Sequence, residues 1–136
     1  MLPKWHALFG FVFAYIIYWF TSATIFQASL IFLSSVLIDF DHYLWYGFKK
    51  KDWNLKNVYI YLKKHRNIVK SLMLFHTIEL HIFVAVLSFI WSGFFYVLIG
   101  MIFHSITDLI GLIYEERLYT REFSLIEAYF RNKTQT

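Results

Sequence analysis

The sequence predicts an all-α integral membrane protein, a four-helix bundle of two transmembrane hairpins with amphipathic helices in the membrane interface. Composition is the first reason: 59% of the 136 residues are hydrophobic and only 16% are charged, against roughly one quarter in soluble domains. The second is the distribution of Lys and Arg, which are missing from residues 5–48 and from residues 71–116. Each of these segments is long enough for two spans of about 20 residues.

The four predicted transmembrane helices cover residues 6–20, 25–46, 70–91 and 94–114. The polar residues 21–24 form the first tight turn, and the Ser92-Gly93 pair forms the second. Both turns lack charge, whereas the amino end, the central loop and the carboxyl tail are basic. The positive-inside rule therefore places both termini in the cytoplasm and predicts a multi-pass protein of the cell membrane. Residues 1–136 form a single domain.

Two cytoplasmic segments outside the spans, residues 49–69 and 115–136, carry amphipathic patterns. The first has a candidate helix cap at Asp52, followed by apolar residues at i, i+3, i+4 and i+7. These residues are Leu55, Val58, Tyr59 and Leu62. In the tail, the sequence from Ser124 to Glu127 matches a capping box, which predicts a second interfacial helix. The lysines of the first segment favour anionic lipid head groups as partners, and the charge pattern does not favour nucleic acid.

Nine ionisable side chains lie in or at the predicted spans, where such groups are costly and are functional candidates by default. They are His6, Asp39, Asp41, His42, His76, Glu79, His81, His104 and Asp108. No Lys or Arg within the apolar segments can neutralise the acids. The acids are therefore either protonated or grouped around a cation, and the interleaved histidines favour a metal ion.

Spacing groups most of these side chains, because helical residues three or four apart share a face. Three imidazole and carboxylate pairs result: Asp39 with His42, His76 with Glu79, and His104 with Asp108. In the predicted topology these pairs and His6 lie in the cytoplasmic half of the bundle. Asp41 lies on the opposite side of an ideal helix, so it either binds metal where the helix end unwinds or supports a ligand from behind. His81 is five residues from His76 and points elsewhere.

These residues resemble a known family, the membrane-bound metal-dependent hydrolases of uncharacterised function. The likeness covers residues 5–112 and rests on His6, on Asp39-Phe40-Asp41-His42, and on His104-x-x-x-Asp108. That family is remotely similar to zinc-dependent phospholipase C and to single-strand-specific zinc nucleases, helical enzymes whose clustered metals hydrolyse phosphoesters. The resemblance implies a set of candidate ligands: His6, Asp39, His42, His76, His104 and Asp108. Glu79 follows His76 by three residues, whereas ligand pairs of those soluble enzymes use a four-residue spacing.

The donor types support metal chemistry without the family. The chain has no cysteine, so a metal must be held by nitrogen and oxygen. This set suits zinc, with manganese or iron as alternatives, and with Glu79 included it exceeds what one zinc ion needs, so two or more ions are plausible. Metal-activated water is the best nucleophile available, with Asp41 or Glu79 as general base. In the basic loop, His65 and Arg66 are candidates for binding a substrate phosphate.

The sequence thus favours a membrane-embedded metal-dependent hydrolase that cleaves a phosphoester of a membrane lipid at the cytoplasmic side. Phospholipids and polyprenyl phosphoesters are the candidate substrates. One alternative is a transporter in which the same side chains relay metal ions or protons, and an oligomer would compensate for the small size of a four-helix monomer. The other is a non-catalytic lipid-binding protein whose polar cluster joins the helices.

Overall fold

The computed structural model describes residues 3–64, 71–116, 118 and 121–134, and these residues are almost entirely helical. The α-helices in these ranges are α1 (Pro3–Phe20), α2 (Ile25–Leu37), α3 (Phe40–Lys50), α4 (Leu55–Lys64), α5 (Ile78–Leu87), α6 (Gly93–Tyr114) and α7 (Leu125–Thr134). A short 3₁₀ turn (Leu74–His76) precedes α5, and two residues of β1 (Ser71–Leu72) pair in parallel with β2 (Arg121–Glu122). The predicted all-α class is confirmed.

Two helical stretches are long and apolar enough to cross a membrane. They are Ile25–Lys50, with a mean hydropathy of 1.3, and Gly93–Tyr114, with a mean hydropathy of 1.8. Large apolar side chains are also widely exposed: Phe20 is 79% exposed and Phe89 is 90% exposed. Soluble monomers rarely expose extended apolar surfaces, and such surfaces mark contact with lipid or with a partner.

Helix α2 packs against α1 and α6 through small residues. A Cβ added at Gly10 would collide with the Ser35 side chain, and one added at Gly100 would collide with the Ser34 hydroxyl and the Ile31 carbonyl. Small residues at such positions let helix backbones approach closely, as in membrane helix pairs. The close approach brings the polar side chains of α6 within reach of α2.

The two predicted tight turns lie at one end of the bundle, where the rings of Phe26 and Trp91 are 6.4 Å apart. The first turn ends at Thr24, which forms a capping box with Gln27 and starts α2 at Ile25 as predicted. The first and fourth predicted helices are confirmed, with their ends within three residues of the predicted ones, since α1 covers Pro3–Phe20 and α6 covers Gly93–Tyr114. The predicted hairpin turns are therefore present.

The second predicted helix, residues 25–46, is interrupted in the structure and extends further than predicted. Helix α2 ends at Leu37, and α3 begins at Phe40 and continues to Lys50. At the break, the Asp39 amide donates to the Val36 carbonyl (3.3 Å), and the His42 amide donates to the Asp39 carbonyl (3.1 Å). These bonds span three residues instead of four, which tightens the turn and redirects the side chains that follow.

The third predicted helix, residues 70–91, is wrong at both ends: the helix in its place has 10 residues, fewer than a membrane span needs. The helix α5 begins at Ile78 and ends at Leu87. Before it, β1 pairs with β2, and Thr77 is extended, with φ −83° and ψ 148°. The Ile78 amide donates to the Phe123 carbonyl (3.0 Å). In a continuous helix this amide would instead donate to the carbonyl four residues earlier.

Both predicted amphipathic helices are present, as α4 and α7. Asn54 caps α4 by accepting from the Lys56 amide (3.0 Å), whereas the predicted cap, Asp52, accepts from the Asn54 amide (2.9 Å). The Ser124 hydroxyl accepts from the Glu127 amide (3.2 Å), which confirms the predicted cap of the tail helix. The candidate phosphate-binding residues His65 and Arg66 lie outside the described residues.

Candidate metal centre

Four side chains from three parts of the chain each present one ligand atom to a common point. They are Asp39, His76, His104 and Asp108, and the four atoms lie within 4.8 Å of one another. The two histidine Nε2 atoms are 3.2 Å apart, and Asp39 Oδ1 is 3.4 Å from His104 Nε2 and 3.8 Å from His76 Nε2. Asp108 Oδ2 completes the group at 3.9 Å from His76 Nε2 and 4.0 Å from His104 Nε2.

These separations fit a tetrahedral metal site. Ligand atoms about 2.0 Å from a zinc ion, at the corners of a regular tetrahedron, are about 3.3 Å apart. Five of the six separations are 3.2–4.0 Å, and the longest of these reaches that arrangement by a contraction of about 0.7 Å. Two nitrogen and two oxygen donors without sulfur also match the ligands that zinc, manganese and iron accept.

The outer nitrogens of both central histidines are anchored. His104 Nδ1 lies 2.6 Å from the Ser35 carbonyl oxygen, which can only accept, so Nδ1 carries the proton and Nε2 presents a lone pair to the site. His76 Nδ1 lies 3.1 Å from Asp41 Oδ2, which also accepts from the Phe75 amide (3.0 Å). With the proton on Nδ1 of each ring, both Nε2 lone pairs face the same point 3.2 Å apart, an arrangement that a cation between them stabilises.

Burial leaves one side of the group more open than the other. The His76 and His104 side chains are fully buried or nearly so, whereas the Asp39 side chain is 23% exposed and that of His42 is 27% exposed. His42 Nδ1 lies 3.6 Å from Asp39 Oδ1, so this predicted pair is brought together. The side of Asp39 and His42 is therefore the more exposed side of the group.

His6 is brought to the site from α1 but lies outside the four-atom group. Its Nε2 is 3.0 Å from Asp108 Oδ1, while Asp108 Oδ2 faces the other ligands. Its ring stacks on the His104 ring, with centroids 4.2 Å apart. In this geometry His6 orients Asp108 and fixes which carboxylate oxygen reaches the centre.

The break between α2 and α3 lets Asp41 join the site together with Asp39. Besides binding His76, Asp41 has its Oδ1 2.9 Å from His42 Nδ1, and these three residues form a second group of candidate ligands. An unbroken helix would have placed Asp39 and Asp41 on nearly opposite sides. Of the two roles that the sequence leaves for Asp41, its contacts fit support of His76 from behind.

The structure does not bring Glu79 into either ligand group. The predicted helical pairing of His76 with Glu79 is wrong, because His76 ends a 3₁₀ turn before α5 begins. Glu79 Oε1 instead accepts from the Ser124 hydroxyl (2.6 Å) and the Ile126 amide (3.2 Å). His81 also stands apart, with Nδ1 2.8 Å from the Thr77 carbonyl.

Sequence reasoning misses two contributors, the Ser35 carbonyl and the Phe75 amide, because backbone groups carry no residue-type signal. No protein-family model, curated protein or solved structure matches the chain. The chemistry assigned to this site therefore depends on its own donors and distances. These describe a largely buried group able to hold a divalent metal ion, with Asp39 its most exposed member.

Proposed function

We propose that this protein is a membrane-embedded metal-dependent hydrolase that cleaves a phosphoester of a membrane lipid at the cytoplasmic side. The observation that carries the proposal is the group of Asp39, His76, His104 and Asp108, with the outer nitrogens of both histidines anchored. Zinc is the metal that this donor set suits best. When bound, it supplies a water that loses its proton near neutral pH and offsets charge developing on the phosphoryl oxygens.

The residues around this group divide the remaining tasks. Asp41 holds His76, since its Oδ2 already accepts from His76 Nδ1 and the Phe75 amide. His6 holds Asp108. His42 lies beside Asp39 on the open side, where it contacts an incoming substrate. These assignments replace the predicted general-base role of Asp41 with a positioning role.

The positions of the polar side chains along three helical stretches support a site in the inner half of the membrane. At 1.5 Å per residue, Asp39 is about 21 Å along the chain from Ile25, and Asp108 is about 22 Å from Gly93. His6 is likewise about 21 Å from Phe20, at the end of α1. Three helices thus place their polar side chains at one depth, about two thirds of the way through a hydrocarbon core of about 30 Å. In this arrangement α1 forms a third span, and the 10-residue helix α5 covers about 15 Å of the core.

The hairpin of α3 and α4 supports a lipid substrate. Helix α3 leads directly from the site to Lys49, whose ammonium lies 4.6 Å from the centre of the Trp45 ring. The exposed side chains of α4 include both apolar and basic residues: Leu55, Lys56, Tyr59, Ile60, Lys63 and Lys64. Such a surface suits the interface of a membrane rich in anionic head groups, where lysines meet phosphates and aromatic rings lie among them. By the positive-inside rule, this surface and both termini are cytoplasmic.

The test uses the purified full-length protein, loaded with zinc, and a panel of phospholipids and polyprenyl phosphates. Release of the head group or phosphate is followed with Asp39→Asn, which removes a ligand charge, and with His81→Ala as a matched histidine variant outside the ligand groups. We expect product from the wild type and from His81→Ala, and none from Asp39→Asn.

Other outcomes would decide against hydrolysis. Equal product from Asp39→Asn would contradict a metal-dependent reaction at this centre. Zinc or proton flux into liposomes without product would favour the transporter. A protein that binds no divalent metal in any lipid would favour the non-catalytic lipid-binding role.

A further inference from the structure

His76 differs from the other central ligands in how its backbone is held. His104 and Asp108 lie one turn apart inside the 22-residue helix α6, whose own hydrogen bonds fix their spacing. His76 ends a three-residue 3₁₀ turn and is followed by the extended residue Thr77. Its position relative to the other ligands therefore depends on tertiary contacts.

The carboxyl-terminal segment, residues 121–134, supplies such contacts on both sides of His76. Before His76, Leu72 pairs with Glu122 in the parallel ladder of β1 and β2. After it, the Ile78 amide donates to the Phe123 carbonyl (3.0 Å). Residues 73–77 are thus held at both ends by one short stretch of the tail.

A side-chain contact reinforces this attachment. Glu79 Oε1 accepts from the Ser124 hydroxyl (2.6 Å) and from the Ile126 amide (3.2 Å). The same hydroxyl accepts from the Glu127 amide, so Glu79 and Ser124 together accept from two of the amides that the first turn of α7 leaves without a partner inside the helix. A carboxylate at the amino end of a helix is also favoured by the helix dipole. Glu79 Oε2 is buried and makes no hydrogen bond to any described residue, so the side-chain hydrogen bonds of Glu79 to the tail are those of Oε1.

From this arrangement we infer that Glu79 and Ser124 are positioning residues for the metal centre, through which the carboxyl-terminal segment holds His76 in its ligand position. The inference rests on the metal site of the proposed function. Because coupling between two equilibria is reciprocal, a metal that draws His76 into place also strengthens docking of the tail. Glu79, predicted as a ligand, acts in this account through His76 and not on the metal.

The first test measures zinc affinity by competition with a chelator, in the full-length protein. Ser124→Ala removes the hydroxyl from the contact, whereas Ser124→Thr retains one. Ser105→Ala is the matched control, because it removes from α6 a hydroxyl that lies 3.1 Å from Nε2 of His81, a residue of α5 like Glu79. We expect zinc affinity to fall about tenfold in Ser124→Ala, which is the lower end of the range for loss of a group that orients a metal ligand. Affinity should recover in Ser124→Thr and change little in Ser105→Ala.

A double-mutant cycle separates positioning from a general loss of structure. If Glu79 acts through His76, Glu79→Ala weakens zinc binding in the wild type but adds no further loss in a His76→Ala background. Glu79→Gln, which keeps an oxygen acceptor at the same place, should lose less than Glu79→Ala. Additive losses in the cycle, or equal losses in Ser124→Ala and Ser105→Ala, would overturn the inference.

The reciprocal test follows tryptic cleavage after Arg121 with and without zinc. Zinc should slow this cleavage in the wild type and leave its rate unchanged in Glu79→Ala. Equal protection of the two proteins would show that the tail and the metal are not coupled through Glu79. The proposed function fails separately, if the wild type binds no metal. Wild-type zinc binding with an unaffected Glu79→Ala variant would defeat this inference alone.

Discussion

Replacement of Asp41 by asparagine tests whether the contacts behind His76 set the strength of the metal site. Asp41 makes three polar contacts: Oδ2 with His76 Nδ1 and the Phe75 amide, and Oδ1 with His42 Nδ1 at 2.9 Å. Asparagine keeps the shape of the side chain but has one acceptor oxygen and no charge. With that oxygen in the place of Oδ2, the contacts to His76 and Phe75 survive, and the contact to His42 is lost together with the charge.

The loss expected for Asp41→Asn is therefore partial. Removal of an outer contact to a ligating histidine typically weakens metal binding by about 10- to 100-fold, or about 1.4–2.7 kcal/mol. We expect about tenfold for Asp41→Asn and about 100-fold for Asp41→Ala, which leaves His76 Nδ1 and the Phe75 amide without this acceptor. The assay is competition for zinc against a chelator of known affinity.

Asp52→Asn is the matched control. Asp52 accepts hydrogen bonds from the Asn54 amide and the Asn57 side chain at the start of α4, and among the described contacts it makes none with the ligand groups. This variant should bind zinc as the wild type does. Wild-type affinity in Asp41→Asn, or an equal loss in Asp52→Asn, would refute the assignment of Asp41 to the support of His76.

Two further predictions concern stability. Gly100→Val should lower the thermal unfolding temperature in detergent, with a cost of about 1–3 kcal/mol, because its side chain collides with Ser34 and the Ile31 carbonyl; an unchanged temperature would show that α2 and α6 separate freely. Hydrogen bonds from the Asn54 amide and the Asn57 side chain lower the pKa of Asp52 below its unfolded value of about 3.9. Its stabilising contribution should be complete above that pH and disappear as the pH falls through the lower folded pKa. The unfolding free energies of the wild type and Asp52→Asn should accordingly converge in acid, and a constant difference would contradict this.

Helices α1 and α6 were predictable because their local pattern and their tertiary environment agree. Each is a predominantly apolar stretch that ends at small polar residues or at charge, and each runs over nearly the predicted length. The pairing of His104 with Asp108 follows directly, since four-residue spacing in a regular helix has one geometrical outcome. Where the backbone is regular, residue type and spacing are sufficient to predict candidate ligands.

The break at Asp39 shows where that reasoning stops. Residues 25–46 carry an apolar pattern that favours one continuous helix, and the local sequence contains no proline or glycine near Asp39 that would interrupt it. The interruption brings Asp39 to the metal group and Asp41 to the outer nitrogen of His76. Spacing alone places these two acids on opposite sides of a helix. The contact of Asp41 with His76 depends on the helix break, for which the sequence contains no signal.

His76 carries the argument one step further. Its residue type was enough to make it a candidate ligand, yet its backbone conformation depends on residues 121–126, about 45 positions further along the chain. A one-dimensional pattern records neither the parallel pairing of Leu72 with Glu122 nor the bond from the Ile78 amide to Phe123. The identity of the ligands therefore follows from local residue types, whereas the position of His76 depends on contacts with the carboxyl-terminal segment. If this reasoning is sound, variants in the tail will change metal affinity more than variants at equally exposed positions of α6.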